Sequence, residues 1–178
     1  MSERRELYRA EKMQIMFHRM AYEMLERHPQ LAGCCLIGIQ PRGVHFGRRM
    51  ARLLQQLSGR ADVPYGELDV TFYRDDFRRS QSPLLPNATR VDFIIEGRQV
   101  ILLDDVLYTG RTVRAALDAM LAFGRPVGVE LAVLVDRSRL RQLPIQADYA
   151  GIQVDTLERE RVKVSWQENG EDLIYIEN

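Results

Sequence analysis

Little in this chain could staple, anchor or polarise it. Its 178 residues include only two cysteines, Cys34 and Cys35. They are neighbours, so no disulfide framework closes a loop, and the pair reads as packed thiols of a reducing compartment. No apolar run approaches the roughly 20 residues of a membrane-spanning helix. The opening stretch MSERRELYRAEK mixes both charge signs, unlike a secretory leader. A cytoplasmic protein is expected. Twenty-five basic and 25 acidic residues leave zero formal net charge, which excludes a global electrostatic footprint for nucleic acid and requires any such surface to be local. Repeats, low-complexity tracts and linkers are also missing, so residues 1–178 are expected to form one domain.

What is present suffices for a core. With 46% apolar residues, a chain of this length can be stable without staples. Met13, Met16, Phe17, Met20, Met24 and Leu25 follow helical spacing and end before Pro29, which predicts an amphipathic helix packed on the core or on a second copy. Cys34–Ile39 reads as a buried strand whose adjacent cysteines point to opposite faces. The turn QPRG leads to a second helix that stops at Gly59. Glu67–Tyr73 alternates as a strand should, and Val91–Ile95 is a further short strand. Val129–Val135 is a buried strand ending at Asp136 and Arg137, and the segments around Asn169-Gly170 predict a C-terminal β-hairpin. Alternation of strands with helices predicts an α/β fold with a doubly wound, mostly parallel sheet. Arg74–Thr89 breaks every periodicity with prolines, serines and clustered charge; long irregular segments inside compact domains usually serve function. A flexible lid loop is expected there.

The stretch around which the rest is organised is Val100–Thr112, VILLDDVLYTGRT. Its four apolar residues suit a strand buried on both faces of a parallel sheet. Asp104 and Asp105 follow at the carboxyl end, where open α/β sheets bind ligands, and two adjacent carboxylates can hold ribose hydroxyls or water on a hard cation. Thr109, Gly110, Arg111 and Thr112 form a donor-rich turn into a helix, a site for one phosphate. Paired aspartates alone are more often a capped turn than a site; the ordered series of strand, acid pair, Thr-Gly-x-Thr and helix is far more specific. Gly38-Ile39-Gln40-Pro41-Arg42-Gly43 ends the first buried strand on the same rim, with glycines that permit close approach and a guanidinium suited to a diphosphate.

The central stretch resembles the phosphoribosyl-diphosphate (PRPP) motif of the type I phosphoribosyltransferases. Together with GIQPRG, ELDVTFYRDD, GRPVGVELAVLVDR and LPIQADYAG, it is similar over nearly the whole chain to the family of bifunctional pyrimidine-operon regulators and uracil phosphoribosyltransferases. That resemblance implies transfer of phosphoribose from PRPP to uracil, giving UMP, with Mg²⁺ carried by PRPP. It also implies UMP-responsive binding of pyrimidine-operon leader mRNA, by a homo-oligomer. Carried over by position, Asp104 and Asp105 hold the ribose hydroxyls with the metal nearby, Val106, Leu107, Tyr108, Thr109, Gly110, Arg111 and Thr112 wrap the 5′-phosphate, and Pro41 and Arg42 bind diphosphate. Arg74 approaches PRPP from the lid, while Arg137 and the backbone of Val154 border the base. Asp104, Asp105 and Arg42 are the implied catalytic groups.

The chain departs from the family at two places, and at a third position it differs from the purine enzymes of the superfamily. Gln40-Pro41 stands where a polar pair such as Lys-Thr is usual. Tyr108 stands where the resembling purine enzymes have the aspartate that serves a purine N7, which favours a pyrimidine. On the RNA side, His18, Tyr22, Gln146 and Ile152 replace other residues, and Arg19, Arg27, Arg139 and Arg141 remain as candidate contacts. Three readings stay open: a uracil phosphoribosyltransferase, an RNA-binding regulator with little or no catalysis, and a phosphoribosyltransferase for another base.

Overall fold

A computed structural model describes residues 4–75, 86–167 and 171–177. Strand β1 (Arg4–Arg9) leads directly into α1 (Ala10–Arg27). There follow β2 (Cys34–Ile39), α2 (Gly43–Ser58), β3 (Tyr65–Leu68), β4 (Gln99–Leu107), α3 (Arg111–Met120), β5 (Gly128–Asp136), β6 (Tyr149–Gln153), β7 (Arg161–Ser165) and β8 (Leu173–Glu177). Strands β3-β2-β4-β5-β6 form one sheet in that spatial order, and every pair in it is parallel. A separate antiparallel sheet has the order β1-β8-β7.

Each helix buries one stripe on one face of the parallel sheet. On one side, Met13, Met16, Phe17, Met20 and Met24 of α1 join Phe46, Met50 and Leu54 of α2. The methionine stripe is thus core within this chain. On the other side, Val113, Ala116 and Met120 of α3 pack with Ile37, Val100 and Leu102. Cys34 belongs to the first cluster and Cys35 to the second, as strand alternation requires. The small sheet closes the first cluster with Val162, Ile174 and Ile176.

Two expectations change, and one strand appears that was not expected. The strand expected over Glu67–Tyr73 is Tyr65–Leu68, and Thr71–Tyr73 is a 3₁₀ turn. The chain leaves the sheet because side chains take over the backbone's role: Thr89 Oγ1 accepts the Asp69 N–H at 3.1 Å, and the Thr71 hydroxyl donates to Asp69 Oδ1 at 2.7 Å. Val91–Ile95 is not a strand; only Arg90 bridges to Glu67, with both backbone bonds made at 2.7 and 2.9 Å. Strand β1, conversely, has no apolar alternation to announce it, being RRELYR. It forms because β8 offers it a partner. The predicted hairpin is present as β7 and β8, with its turn at 168–170 outside the described residues. Residues 76–85, the centre of the expected lid, also lie outside them.

Candidate active site

Spatial order β3-β2-β4-β5 places β2 and β4 side by side, although the chain between them goes out to β3 and returns. Their carboxyl ends form the switch point at which doubly wound sheets leave a crevice. There α2 comes unusually close to β4: a Cβ on Gly43 would lie 2.5 Å from the Leu103 carbonyl oxygen and 3.0 Å from the Asp104 Cα. Only glycine lets the helix start press against the strand that carries the acid pair. The cleft above has a volume of about 480 Å³. Pro41, Arg42, Arg74, Asp104, Asp105, Val106, Tyr108, Thr112 and Arg137 all line it. The Gln40–Pro41 peptide is cis, and Gln40 donates its amide N–H to the Ala88 carbonyl at 2.7 Å.

Asp104 and Asp105 are both nearly buried, at 6% and 4% exposure. Burial, and then the neighbouring Asp105 charge, hold the Asp104 carboxyl well above the usual carboxylate range. Burial raises Asp105 too, while Arg42 opposes it. Asp104 Oδ1 accepts the Asp105 N–H at 2.9 Å. Asp105 Oδ2 is buried and has no hydrogen-bond partner among the described residues. A buried carboxylate oxygen left in this way suits a ribose hydroxyl or water on a cation.

The turn after β4 is held from behind. Leu107 O accepts the Arg137 N–H at 2.9 Å, Tyr108 O accepts from the Arg141 guanidinium, and Thr109 O accepts from Gln142 and Leu143 at 3.0 and 3.2 Å. Gly110, at φ +91°, starts α3, and its carbonyl takes the Arg114 N–H at 3.0 Å. The carbonyls are thus occupied, while the N–H groups of Thr109 and Gly110 keep no partner among the described residues. Together with the helix start they form a concave donor set for an anion. The Leu107 side chain belongs to the core. Arg111 turns to Gln142 and Asp75.

At the end of β5, Arg137 is buried. Its guanidinium donates to Thr156 Oγ1 at 2.9 Å and to the carbonyls of Glu160 and Leu157 at 2.9 and 3.3 Å. Its Cζ lies 4.0 Å from the Tyr108 ring centroid. The Val154 N–H is taken by the Asp136 carbonyl at 2.8 Å, and its side chain packs against the core rather than lining the cleft. Three further lining residues, Arg161, Val162 and Lys163, come from β7. Sequence reasoning had treated that strand only as half of a hairpin, although the alternation R-V-K-V already places both cations on one face.

Of the candidate RNA contacts, Arg19 and Arg27 touch β6, and Arg139 and Arg141 do not. Arg19 donates to the carbonyls of Ala150 and Gly151. Arg27 stacks 4.7 Å from the Tyr149 ring centroid. Arg139 is exposed and lies 3.1 Å from Asp155. Arg141 is tied to Asp136 and the Tyr108 carbonyl.

Comparison with known proteins identifies the family. Residues 4–169 match the phosphoribosyl transferase domain. "Bifunctional protein PyrR" of Desulfosudis oleivorans is 48% identical over 89% of this chain and 87% of its own length. The PyrR protein of Enterococcus faecalis is 45% identical over 97% and 96%. Among solved structures, a hypoxanthine-guanine phosphoribosyltransferase from Bacillus anthracis superposes with TM-score 0.66 at 19% identity, over 85% of this chain and 84% of that one. The Trypanosoma cruzi hypoxanthine enzyme gives TM-score 0.66 at 18% identity, over 85% and 78%. These two share the fold. A domain match over residues 4–169 and identity near one-half across most of the chain place the protein in the phosphoribosyltransferase family and, within it, among the bifunctional PyrR proteins.

Proposed function

We propose that this chain is a uracil phosphoribosyltransferase, converting uracil and PRPP to UMP and diphosphate, and a UMP-responsive binder of pyrimidine leader mRNA. It acts in the cytoplasm as a single-domain subunit of a homo-oligomer. The observation that carries the uracil reading is the base side of the cleft. There Tyr108 stands capped by Arg137 at 4.0 Å, so the residue at this position presents no carboxylate to a purine N7.

In this reading the Thr109–Thr112 turn fixes the 5′-phosphate, Asp104 and Asp105 hold the ribose hydroxyls, and Pro41 and Arg42 receive the diphosphate, with Arg74 at the cleft edge. As the C1′–O bond breaks, the sugar becomes cation-like and the acid pair favours it, while Arg42 stabilises the departing charge. Among the described residues no group of three metal-ligating side chains exists. Mg²⁺, which takes six oxygens, would arrive on PRPP, with Asp104 and Asp105 holding its waters. It would supply charge neutralisation on the diphosphate.

The RNA reading rests on Arg19 and Arg27 beside β6 and on the exposed Arg139, with Arg141, tied to Asp136, as the fourth candidate contact. The test of the enzyme is competition of uracil, hypoxanthine and guanine for PRPP. Uracil is expected to win by at least about tenfold, or about 1.4 kcal/mol in transition-state binding. A purine winning by that margin would overturn the uracil reading.

A further inference from the structure

Uracil must lose its N1 proton to become a nucleophile at C1′, and among the described residues that line the cleft there is no histidine and no carboxylate beyond the acid pair to take it. The two carboxylates sit together at the end of β4, where they serve the ribose. The remaining charge is positive: Arg42, Arg74, Arg137, Arg161 and Lys163 line the same space. Resting on the uracil reading, we propose that the protein takes uracil as its N1-deprotonated anion and that Arg161 is a catalytic residue, stabilising the charge spread onto the base's carbonyl oxygens.

The arrangement of β7 supports this. Val162 faces the core, so Arg161 and Lys163, two residues apart, share the opposite face. Lys163 is neutralised by Glu177, which also lies 3.9 Å from Arg4. The other nearby acid, Glu160, accepts the Leu157 N–H and lies 4.0 Å from Arg5. Arg161 itself is exposed and has no acidic side chain within 4 Å among the described residues. The Arg137 guanidinium is committed to Thr156 and two carbonyls, so it makes no direct carboxylate pair, with Glu160 acting on it only through space and Glu177 standing opposite Arg161 in the strand register. The ionisation that governs the rate is then the substrate's own.

The step balances simply. The N1 proton goes to solvent; the N1 lone pair forms the bond to C1′; the C1′–O bond breaks, and its electron pair leaves on diphosphate. Nothing is oxidised or reduced.

The experiment compares uracil with 5-fluorouracil, a more acidic base, across a pH series at saturating PRPP and Mg²⁺. The rising limb of kcat/KM is expected to move to lower pH for 5-fluorouracil by the difference between the two bases' own N1 pKa values. Arg161→Gln is expected to lower kcat/KM for uracil about tenfold and for 5-fluorouracil less, with the KM for PRPP unchanged and Arg161→Lys largely restoring the rate. Normal turnover with one rising limb shared by both bases would show that a protein group takes the proton, overturning the inference alone. Arg161→Gln that raises only the KM for PRPP would assign the side chain to diphosphate instead. Failure of the unaltered protein to turn over uracil would overturn the uracil reading and this inference with it.

Discussion

The guanidinium of Arg137 stacks on the ring of Tyr108, 4.0 Å from Cζ to centroid, while the backbone N–H of Arg137 donates to the Leu107 carbonyl at 2.9 Å. Two elements distant in sequence, the turn after β4 and the end of β5, are thereby held together twice, once through backbone and once through a cation on an aromatic face.

Tyr108→Leu keeps the bulk and removes the π face. A desolvated cation–π contact contributes about 1–2 kcal/mol, so the KM for uracil is expected to rise about fivefold to thirtyfold, with the KM for PRPP little changed. Steady-state kinetics with each substrate varied in turn would check it. An equal rise in both constants would mean that the stack supports the whole turn rather than the base.

Asp104→Asn is expected to remove most transfer activity, on the order of 10²-fold or more, and to leave the fold intact or more stable. The sign follows from burial. The folded carboxyl sits above its ordinary value of 3.8, so the folded state binds this proton more tightly than the unfolded chain. Its ionisation costs stability progressively as pH rises from that ordinary value to the raised folded one. The stability difference between variant and parent should therefore widen in the variant's favour over that window and then level off. Denaturant melts at several pH values give this directly; a variant less stable than the parent at pH 7 would contradict it.

Gly43→Ala should damage both stability and the site. The added carbon would meet the Leu103 carbonyl at 2.5 Å, a backbone atom that cannot swing aside. Forced repacking typically costs about 1–3 kcal/mol, and moving the start of α2 away from β4 should raise the KM for PRPP. Urea melts and kinetics together would test this, and an Ala variant with parental values of both would refute the close-contact argument.

Arg139 and Arg141 should separate cleanly in RNA binding. Arg139 is 77% exposed at its side chain, so Arg139→Gln should reduce the slope of log affinity against log salt by up to about one unit without touching stability. Arg141, at 16% exposure and paired with Asp136, should cost about 2–4 kcal/mol of stability when changed to Gln, because the partner carboxylate is left buried. Leader and scrambled hairpins over a salt series, with melts of both variants, would decide; parental stability in Arg141→Gln would break the distinction.

How much of this was legible from residue order depends on whether the signal is local. Val100–Leu103 and Cys34–Ile39 are buried on both faces, so their continuous apolar runs mark them as central parallel strands, and the acids that follow fall on the rim by geometry alone. The same holds for the methionine stripe of α1. Edge elements carry no such mark. In β1 the residues RRELYR form a strand only because β8 is waiting, and after Leu68 an apparent alternation yields to side-chain bonds at Asp69 and Thr71. Within the site, the acid pair and the phosphate turn were readable because they are contiguous. The contribution of β7 was not, since Arg161 lies more than fifty residues from Asp105 and reaches the cleft only through the docking of a second sheet.

The opposed cysteines of β2 give the molecule two internal clocks. Cys34 looks into the core shared by α1, α2 and the small sheet, and Cys35 into the core beneath α3. Both are buried, and burial pushes the Cys35 thiol up to about 11, so neither reacts as a thiolate while its side is closed. A thiol reagent therefore samples each layer only when that layer opens. With one cysteine replaced by alanine at a time, the labelling rate of the other measures the opening of one face of the sheet independently of the opposite face.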